Sequence, residues 1–211
     1  MQSLNLNKGD LLNLTKDYST LNNINMGLGR DIATKGQSWD LDSIAVMLDS
    51  KNKVVDTVSF RHKNCVGIFL NGDNMTGQGE GDDEVISVTL SKIPSNVVVI
   101  GFFANIYNAR ERDFSGVKNA YIRMVNKDTN KEIAKYNLNE NGRGYNAYHF
   151  ANLVRRNNEW EFIAVGKGAN GSIDTLESHF QETYKLTNSI STPIAPKEEK
   201  VGIFGRLFGK K

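Results

Sequence analysis

Cysteine, histidine and long apolar runs are all scarce in this chain of 211 residues. The single cysteine, Cys65, excludes an internal disulfide and is typical of a reducing compartment. The three histidines, His62, His149 and His179, lie far apart in the sequence and form no spaced metal-binding pair. No run approaches the roughly 18 apolar residues of a membrane span, and the amino terminus lacks the pattern of a secretion signal. We therefore expect a cytoplasmic protein.

The net positive charge of the chain is confined to its last residues. The net charge is +2, but the last seventeen residues, 195–211, carry five basic and two acidic side chains, a net of +3, which leaves −1 on the preceding 194 residues. A nucleic-acid-binding domain would need a basic stripe with interleaved aromatic side chains, and no segment of this body supplies one. We therefore expect no nucleic acid among the partners of the protein.

The sequence does contain a series of short apolar runs that are rich in β-branched and aromatic residues. Most are separated by glycine, asparagine or aspartate, and two neighbouring pairs, in "VNKDTNKEIAKY" and "LVRRNNEWEF", have the pattern of hairpins. This spacing predicts a mainly β fold, an antiparallel β-sandwich. The predicted strands are 42–48, 66–70, 84–90, 96–107, 120–126, 131–138, 147–156 and 159–166.

One short helix is predicted near the carboxyl terminus, from Ser172 to Leu186. Leu176, Phe180 and Tyr184 recur on one of its faces, and Ser172 is a suitable capping residue. The polar stretch that follows, "TNSISTPIAPKEEK", contains two prolines and is typical of a linker. We therefore expect one domain over residues 1–188, a linker over 189–200, and a flexible tail over 201–211.

The stretch "NGDNMTGQGEGDDE", Asn71–Glu84, combines five carboxylates with four glycines in fourteen residues. Adjacent carboxylates repel each other and glycine disfavours a helix, so we expect a loop. Oxygen donors on a flexible backbone suit Ca²⁺, which takes about six to eight oxygen ligands, whereas the lack of nearby histidine and cysteine disfavours zinc and copper. The loop matches neither an EF-hand nor a phosphate-binding loop. A solvated acidic turn is the alternative.

A second acidic element lies upstream, where Asp40 and Asp42 flank Leu41 at the start of a predicted strand. Strand alternation sends both carboxylates to the same side, from which they could face the acidic loop. Two carboxylates that point together are costly unless a cation lies between them. The spacing therefore favours a metal site formed by the two acidic segments.

Four segments occur in the order that they have in a known family. They are "WDLDSIAVML", "NGDNMTGQGEGDDEVISVTLSKIP", "NAYIRMVNKDTNKEIAKYNL" and "NEWEFIAVGKG". Together they resemble the TerD domain of tellurium-resistance and bacterial stress proteins, over about residues 4–187. The resemblance implies a β-sandwich that binds Ca²⁺ through clustered acidic residues, a cytoplasmic location, and a role in resistance to tellurite and other chemical stress.

Carried over by position, the resemblance also implies a set of Ca²⁺ ligands. They are Asp31, Asp40, Asp42, Asp73, Asn74, Thr76, Glu80, Asp82, Asp83 and Glu84. Three positions depart from the family in a way that changes the charge: Arg30 stands where tryptophan is usual, Met75 where arginine is common, and Gln78 where glutamate is common. We therefore expect calcium binding, but not necessarily with the usual affinity of the family.

The acidic segments converge without a nucleophile–base pair, and the resemblance implies no secure enzymatic activity. We therefore expect a non-enzymatic calcium-binding protein that acts as a scaffold or sensor, with protein partners in a stress-response assembly. The alternative is a metal-dependent phosphoester hydrolase in which the cation acts as a Lewis acid. Such an enzyme would need an open coordination position and a general base beside the metal.

The final segment, "VGIFGRLFGKK", would place Val201, Phe204 and Phe208 on one face of a helix, with basic residues beside them. Eleven residues with three glycines do not form a helix alone, so the segment would order on a membrane surface, in a partner groove or on its own domain. We expect Val201–Lys211 to be a docking element, for a protein or for the inner face of the membrane, that is dispensable for folding.

Overall fold

Two β-sheets packed face to face make up most of the described chain. The computed structural model describes residues 3–32, 40–71, 82–109, 112–138, 142–187 and 192–193. Within these ranges lie fourteen strands and two α-helices, numbered below in chain order. The predicted fold class, a mainly β antiparallel sandwich with a short carboxyl-terminal helix, is confirmed.

Sheet A has seven strands. In spatial order they are β1 (Leu4–Leu6), β11 (Lys131–Asn137), β10 (Val117–Asn126), β3 (Asn23–Ile32), β8 (Glu84–Thr89), β7 (Ile68–Asn71) and β6 (Asn64–Cys65). Neighbouring strands are antiparallel, except that β1 runs parallel to β11.

Sheet B also has seven strands. In spatial order they are β14 (Thr192–Pro193), β2 (Asp10–Asn13), β13 (Glu159–Ala169), β12 (Ala147–Arg156), β9 (Val97–Ile106), β4 (Leu41–Asp49) and β5 (Val54–Val58). Here the one parallel pair within the described ranges is β14 with β2.

Strand β4 shows why several segments appear as continuous apolar runs. Its residues alternate between two cores: Ala45 and Met47 pack between the sheets, whereas Ile44, Val46 and Leu48 point to the outer face of sheet B. Both faces of the strand are buried from Ile44 to Leu48, so the apolar residues form a continuous run and do not alternate with polar ones. The predicted strand at 42–48 corresponds closely to the observed Leu41–Asp49.

The outer face of sheet B is covered by helix α2 (Ile173–Thr187), which confirms the predicted helix. Phe180 lies directly over Gly101 of β9, where a Cβ atom would come within 2.6 Å of the phenyl ring. His149 of β12 is stacked on Phe103 at a centroid distance of 4.2 Å. Burial under the helix lowers the pKa of His149 to about 4, so this imidazole is neutral at physiological pH.

The two predicted hairpins are confirmed as the antiparallel pairs β10–β11 and β12–β13. Their turns contain asparagines with positive φ, namely Asn130 at 53° and Asn157 and Asn158 at 50° and 65°. Asparagine tolerates this conformation better than other residues with a side chain, because its short polar group can bond locally.

Six strands, β1, β2, β3, β5, β6 and β14, and the short helix α1 (Leu14–Asp17) were not predicted from the sequence. The most important omission is β3, a central strand of sheet A with the sequence "NINMGLGRDI". Glycine and asparagine have low β-propensity, so the apolar pattern of this segment is weak. Its glycines are required by packing, because the side chain of Asp82 lies over Gly27 and that of Tyr121 over Gly29.

The carboxyl-terminal part of the chain is described only in part. Within the predicted linker, Thr192–Pro193 pairs with Asp10–Leu11 of β2, and the tail at 201–211 lies outside the described residues. The domain boundaries at 188 and 200 therefore stay predictions. Among the described helices, none is long and apolar enough to cross a membrane.

Candidate metal site

The buried charges of the described chain are concentrated at one end of the sandwich. Of the lysine, arginine, aspartate and glutamate residues that the structure describes, four are buried: Arg30, Asp42, Asp83 and Glu84. They lie at the end of β3, the start of β4 and the start of β8. A buried carboxylate is costly unless it is paired with a cationic side chain or binds a metal ion. The groups that surround these three carboxylates therefore determine how their charge is compensated.

Glu84 connects the two sheets at this end. It lies directly opposite Leu28 of β3 in the pairing of sheet A, so it shares the inward-facing side of that sheet. Its Oε2 atom accepts a hydrogen bond from the backbone N–H of Ser43, in β4 of sheet B. A carboxylate of one sheet is therefore held against the backbone of the other.

Asp83 is held beside β3 by its backbone and faces a buried arginine. Its N–H donates a hydrogen bond to the carbonyl oxygen of Leu28, with an N···O distance of 2.7 Å. The Nε atom of Arg30 lies 3.6 Å from Oδ2 of Asp83, and the two side chains are only 2% and 6% exposed. Arg30 follows Leu28 by two positions on β3, so its side chain also points inward.

Asp42 lies opposite a residue that sequence analysis missed, Asn105 of β9. The two are paired in register across β4 and β9, so both side chains project from the same face of sheet B. Asn105 is only 7% exposed, and among the described residues none donates a hydrogen bond to its Oδ1 atom. Asp40 is half-buried directly before β4, and its carbonyl oxygen accepts a hydrogen bond from the Tyr107 N–H.

Asp82 lies on the other side of sheet A. Its Oδ1 atom accepts hydrogen bonds from Arg123 Nε at 2.7 Å and from the Tyr121 hydroxyl at 3.2 Å. Arg123 in turn contacts Glu132, with Nη1 3.3 Å from Oε2. Partial burial, reinforced by the Asp82 carboxylate, raises the pKa of Tyr121 to about 12. The described contacts of Asp82 are therefore with this cationic and phenolic group, which we call the Arg123 network (Asp82, Tyr121, Arg123 and Glu132).

Three of the ten predicted ligands, Asp42, Asp83 and Glu84, are buried at neighbouring strand ends. Asp83 and Glu84 lie beside β3 in sheet A, whereas Asp42 projects, like Ile44 and Val46, from the outer face of sheet B. Asp73, Asn74, Thr76 and Glu80 lie outside the described residues, as does the side chain of Asp31. Within the described ranges, no group of three or more histidine, cysteine, aspartate or glutamate side chains is arranged to hold a metal ion. A complete site would therefore need the predicted ligands of segment 72–81, which in the sequence lies between β7 and Asp82.

The donors that are present have the chemistry of a hard-cation site. Within the described residues, they are the carboxylate oxygens of Asp83 and Glu84 and, on the outer face of sheet B, the carboxylate of Asp42 with the amide oxygen of Asn105. Oxygen donors of this kind suit Ca²⁺, whereas zinc and copper prefer nitrogen and sulfur ligands. The residues present thus fit calcium. An asparagine within an otherwise apolar strand, "VVVIGFFANI", is the sequence signal that could have identified Asn105.

A family model and individual relatives both match most of the chain. The family model described as the TerD domain matches residues 2–180. The tellurium resistance protein TerZ of Serratia marcescens is 38% identical over 188 residues, which cover 83% of this chain and 95% of that protein. General stress protein 16U of Bacillus subtilis (strain 168) is 35% identical over 187 residues, which cover 84% of this chain and 97% of that protein.

A solved structure shows the same fold. The crystal structure of a homologue of telluride resistance protein from Streptomyces coelicolor A3(2) superposes with a TM-score of 0.64 at 18% sequence identity. The superposition covers 76% of this chain and 98% of the other. At this level of identity the similarity concerns the arrangement of the two sheets and not the chemistry of the site.

Proposed function

The chain belongs to the TerD domain family, and from that premise we propose that it is a non-enzymatic calcium-binding protein of the bacterial stress response. The observation that supports the proposal is that buried oxygen donors lie on both sides of the contact between Glu84 and the Ser43 N–H. Asp83 and Glu84 belong to sheet A, and Asp42 and Asn105 are paired on the outer face of sheet B. When bound, the calcium ion would supply positive charge that draws the acidic segments onto the end of the sandwich.

The formal charges of the buried end support a divalent cation. Among the buried charged side chains that the structure describes, three are carboxylates, those of Asp42, Asp83 and Glu84, and one is a guanidinium, that of Arg30, which lies beside Asp83. Their formal charges give an excess of two negative charges. Like charges that share a buried region disfavour one another's ionisation unless a cation lies between them. One Ca²⁺ ion would offset this excess. The predicted ligands in segment 72–81 would bring further carboxylates to the same end.

The proposed role in stress follows from the relatives. They include proteins named for tellurium resistance and for general stress, and we propose a scaffold or sensor with protein partners whose binding depends on calcium. Thiol chemistry on tellurium compounds finds little support in this chain, because burial raises the pKa of the half-buried Cys65 thiol to about 11. Such a thiol is protonated and weakly nucleophilic near neutral pH.

The first test is a calcium titration of protein stripped with a chelator. We expect a calorimetric binding signal and a rise in melting temperature with Ca²⁺ that is well above the effect of Mg²⁺, because ligand binding to the folded state stabilises it. No turnover of generic phosphoesters should accompany binding. An equal response to the two ions, or hydrolysis that requires the metal, would contradict the proposal.

Asn105 gives a sharper test of the donor set. Asn105→Ala removes an amide oxygen but no formal charge, so we expect Ca²⁺ affinity to fall by about tenfold, on the order of 1.4 kcal/mol. The stability of the stripped variant should change little, since the deleted oxygen accepts no hydrogen bond from the described residues. The matched control is Asn152→Ala, on the same face of sheet B, where the amide oxygen lies 2.7 Å from His149 Nε2. That control should lose stability but keep its calcium affinity.

A further inference from the structure

A buried arginine lies inside the proposed calcium site. The Arg30 side chain is 2% exposed and its Nε atom is 3.6 Å from Asp83 Oδ2. All other arginines within the described ranges are at least partly exposed, including those of the ion pairs Arg123–Asp82 and Arg156–Glu161. Burying a guanidinium is costly, so its presence at this one place needs a reason in the chemistry of the site.

A guanidinium carries a permanent positive charge in proteins and presents its donors in a fixed planar fork. It can therefore neutralise part of the negative charge of a group of carboxylates, as a metal ion does. Unlike a metal ion, it is covalently part of the chain and does not dissociate when the ion concentration falls. Arg30 also lies on β3, whereas Asp83 directly precedes β8, so the ion pair ties together the ends of two adjacent strands. In the sequence, segment 72–81 directly precedes Asp82, the neighbour of Asp83.

We propose that Arg30 is a built-in counter-ion of the calcium site, which holds Asp83 in place when calcium is absent and competes with calcium for the same carboxylate. This inference rests on the proposed calcium-binding function and adds its regulation. The arginine lowers the affinity of the site for Ca²⁺ by repulsion and by competition for Asp83. In return it keeps the stripped protein folded at this end, so calcium binding changes the acidic segments more than it changes the sandwich.

The test replaces the charge while keeping most of the side-chain volume. In Arg30→Met we expect Ca²⁺ affinity to rise by about tenfold in calorimetric titration, because one repelling charge and one competitor are removed. The melting temperature of the stripped variant should fall by several degrees, and calcium should restore it, so that the calcium-induced shift is larger than in the parent. Arg30→Lys keeps the charge and should keep an affinity close to that of the parent.

The matched control is Arg156→Met, which removes the same charge from an ion pair at the opposite end of β12, where Arg156 Nε lies 3.0 Å from Glu161 Oε2. Its calcium affinity should equal that of the parent. A second variant, Arg30→Met combined with Asp83→Asn, removes both members of the buried pair. It should fold without calcium and bind the ion more tightly than Asp83→Asn alone, because the repelling charge is absent, which gives a measurement even where Arg30→Met does not fold.

The outcomes separate the two proposals. Calcium binding by the parent with unchanged or weaker binding by Arg30→Met would overturn the counter-ion role and leave the calcium function intact. Calcium binding by Arg30→Met alone would support the counter-ion role, with the arginine replacing the ion altogether. Absence of binding by the parent and by every Arg30 variant would overturn the calcium function and the inference together.

Discussion

Asp82 and Asp83 are consecutive in the sequence, yet they lie in two different electrostatic environments. Asp82 belongs to the partly exposed Arg123 network on the outer side of sheet A, where Arg123 contacts both Asp82 and Glu132. Asp83 belongs to the buried end, where carboxylates outnumber the guanidinium of Arg30. In the Arg123 network two carboxylates contact one partly exposed guanidinium, whereas the guanidinium and the carboxylates of the buried end are withdrawn from solvent. An acidic motif can thus divide between two environments, and the metal-binding role that we propose belongs to the buried one.

The largest expected effect is that of Asp83→Asn in chelator-treated protein. The change leaves the buried Arg30 without its carboxylate partner, and breaking a buried ion pair from one side costs about 3–5 kcal/mol. We expect a loss of about 3 kcal/mol in the free energy of unfolding, measured by urea denaturation. Asp82→Asn is the comparison variant, and because Arg123 is partly exposed its loss should be about 1 kcal/mol or less. Equal losses would remove the distinction between the two environments.

Gly27→Ala tests how the Arg123 network is positioned. A Cβ atom at this position would lie 2.0 Å from Asp82 Oδ2, so the carboxylate must move away from Arg123. We expect a loss of about 1–3 kcal/mol in unfolding free energy, typical of an overpacked site. The same change in an Asp82→Ala background should cost much less, because the clashing carboxylate is absent. Additive losses in the double variant would show that the backbone of β3, and not Asp82, requires the glycine.

Tyr121→Phe should reduce stability slightly and leave calcium affinity unchanged, which tests whether the Arg123 network is separate from the metal site. It removes one hydroxyl donor, 3.2 Å from Asp82 Oδ1, and we expect a stability loss of about 0.5–1 kcal/mol. Calcium affinity should be unchanged, because the described contacts of Asp82 are with the Arg123 network. A tenfold loss of calcium affinity would show instead that Asp82 is coupled to the metal, as the resemblance to the family implies.

The smallest expected effect is that of deleting residues 194–211, which keeps β14 and removes the predicted docking tail. The deletion should leave the Arg123 network and the buried end unchanged, so the melting temperature and the calcium affinity should stay within error of the full chain. Co-sedimentation with anionic vesicles, or recovery of a protein partner, should decrease, because the tail carries basic and apolar residues. A melting temperature lower by several degrees would show that the tail packs on its own sandwich.

Much of the architecture could be predicted from local patterns, but the grouping of the acidic residues could not. The strands β4, β9 and β12 are apolar enough to stand out, and the helix shows Leu176, Phe180 and Tyr184 at regular spacing. In β3 the pattern is hidden, because its glycines accommodate side chains from elsewhere in the sheet.

The predicted strand 84–90 begins at the observed start of β8, but the opposite directions of the Asp82 and Asp83 side chains depend on the pairing of this segment with β3, which is distant in sequence. Asn105 and Asp42 are neighbours through the register of two strands that are distant in sequence. The charge of Arg30 is visible in the sequence, but its burial against Asp83 is a property of the fold alone.

The edges of the two sheets limit how a partner can bind. The outermost described strands are β1 and β6 in sheet A and β14 and β5 in sheet B, and their lengths are three, two, two and five residues. Pro193 in β14 has no N–H to offer to a further strand. Short and interrupted edges are poor templates for strand addition, whether by an aggregating copy or by an extended peptide. Recognition of the described sandwich by a partner therefore depends on side-chain surfaces and loops.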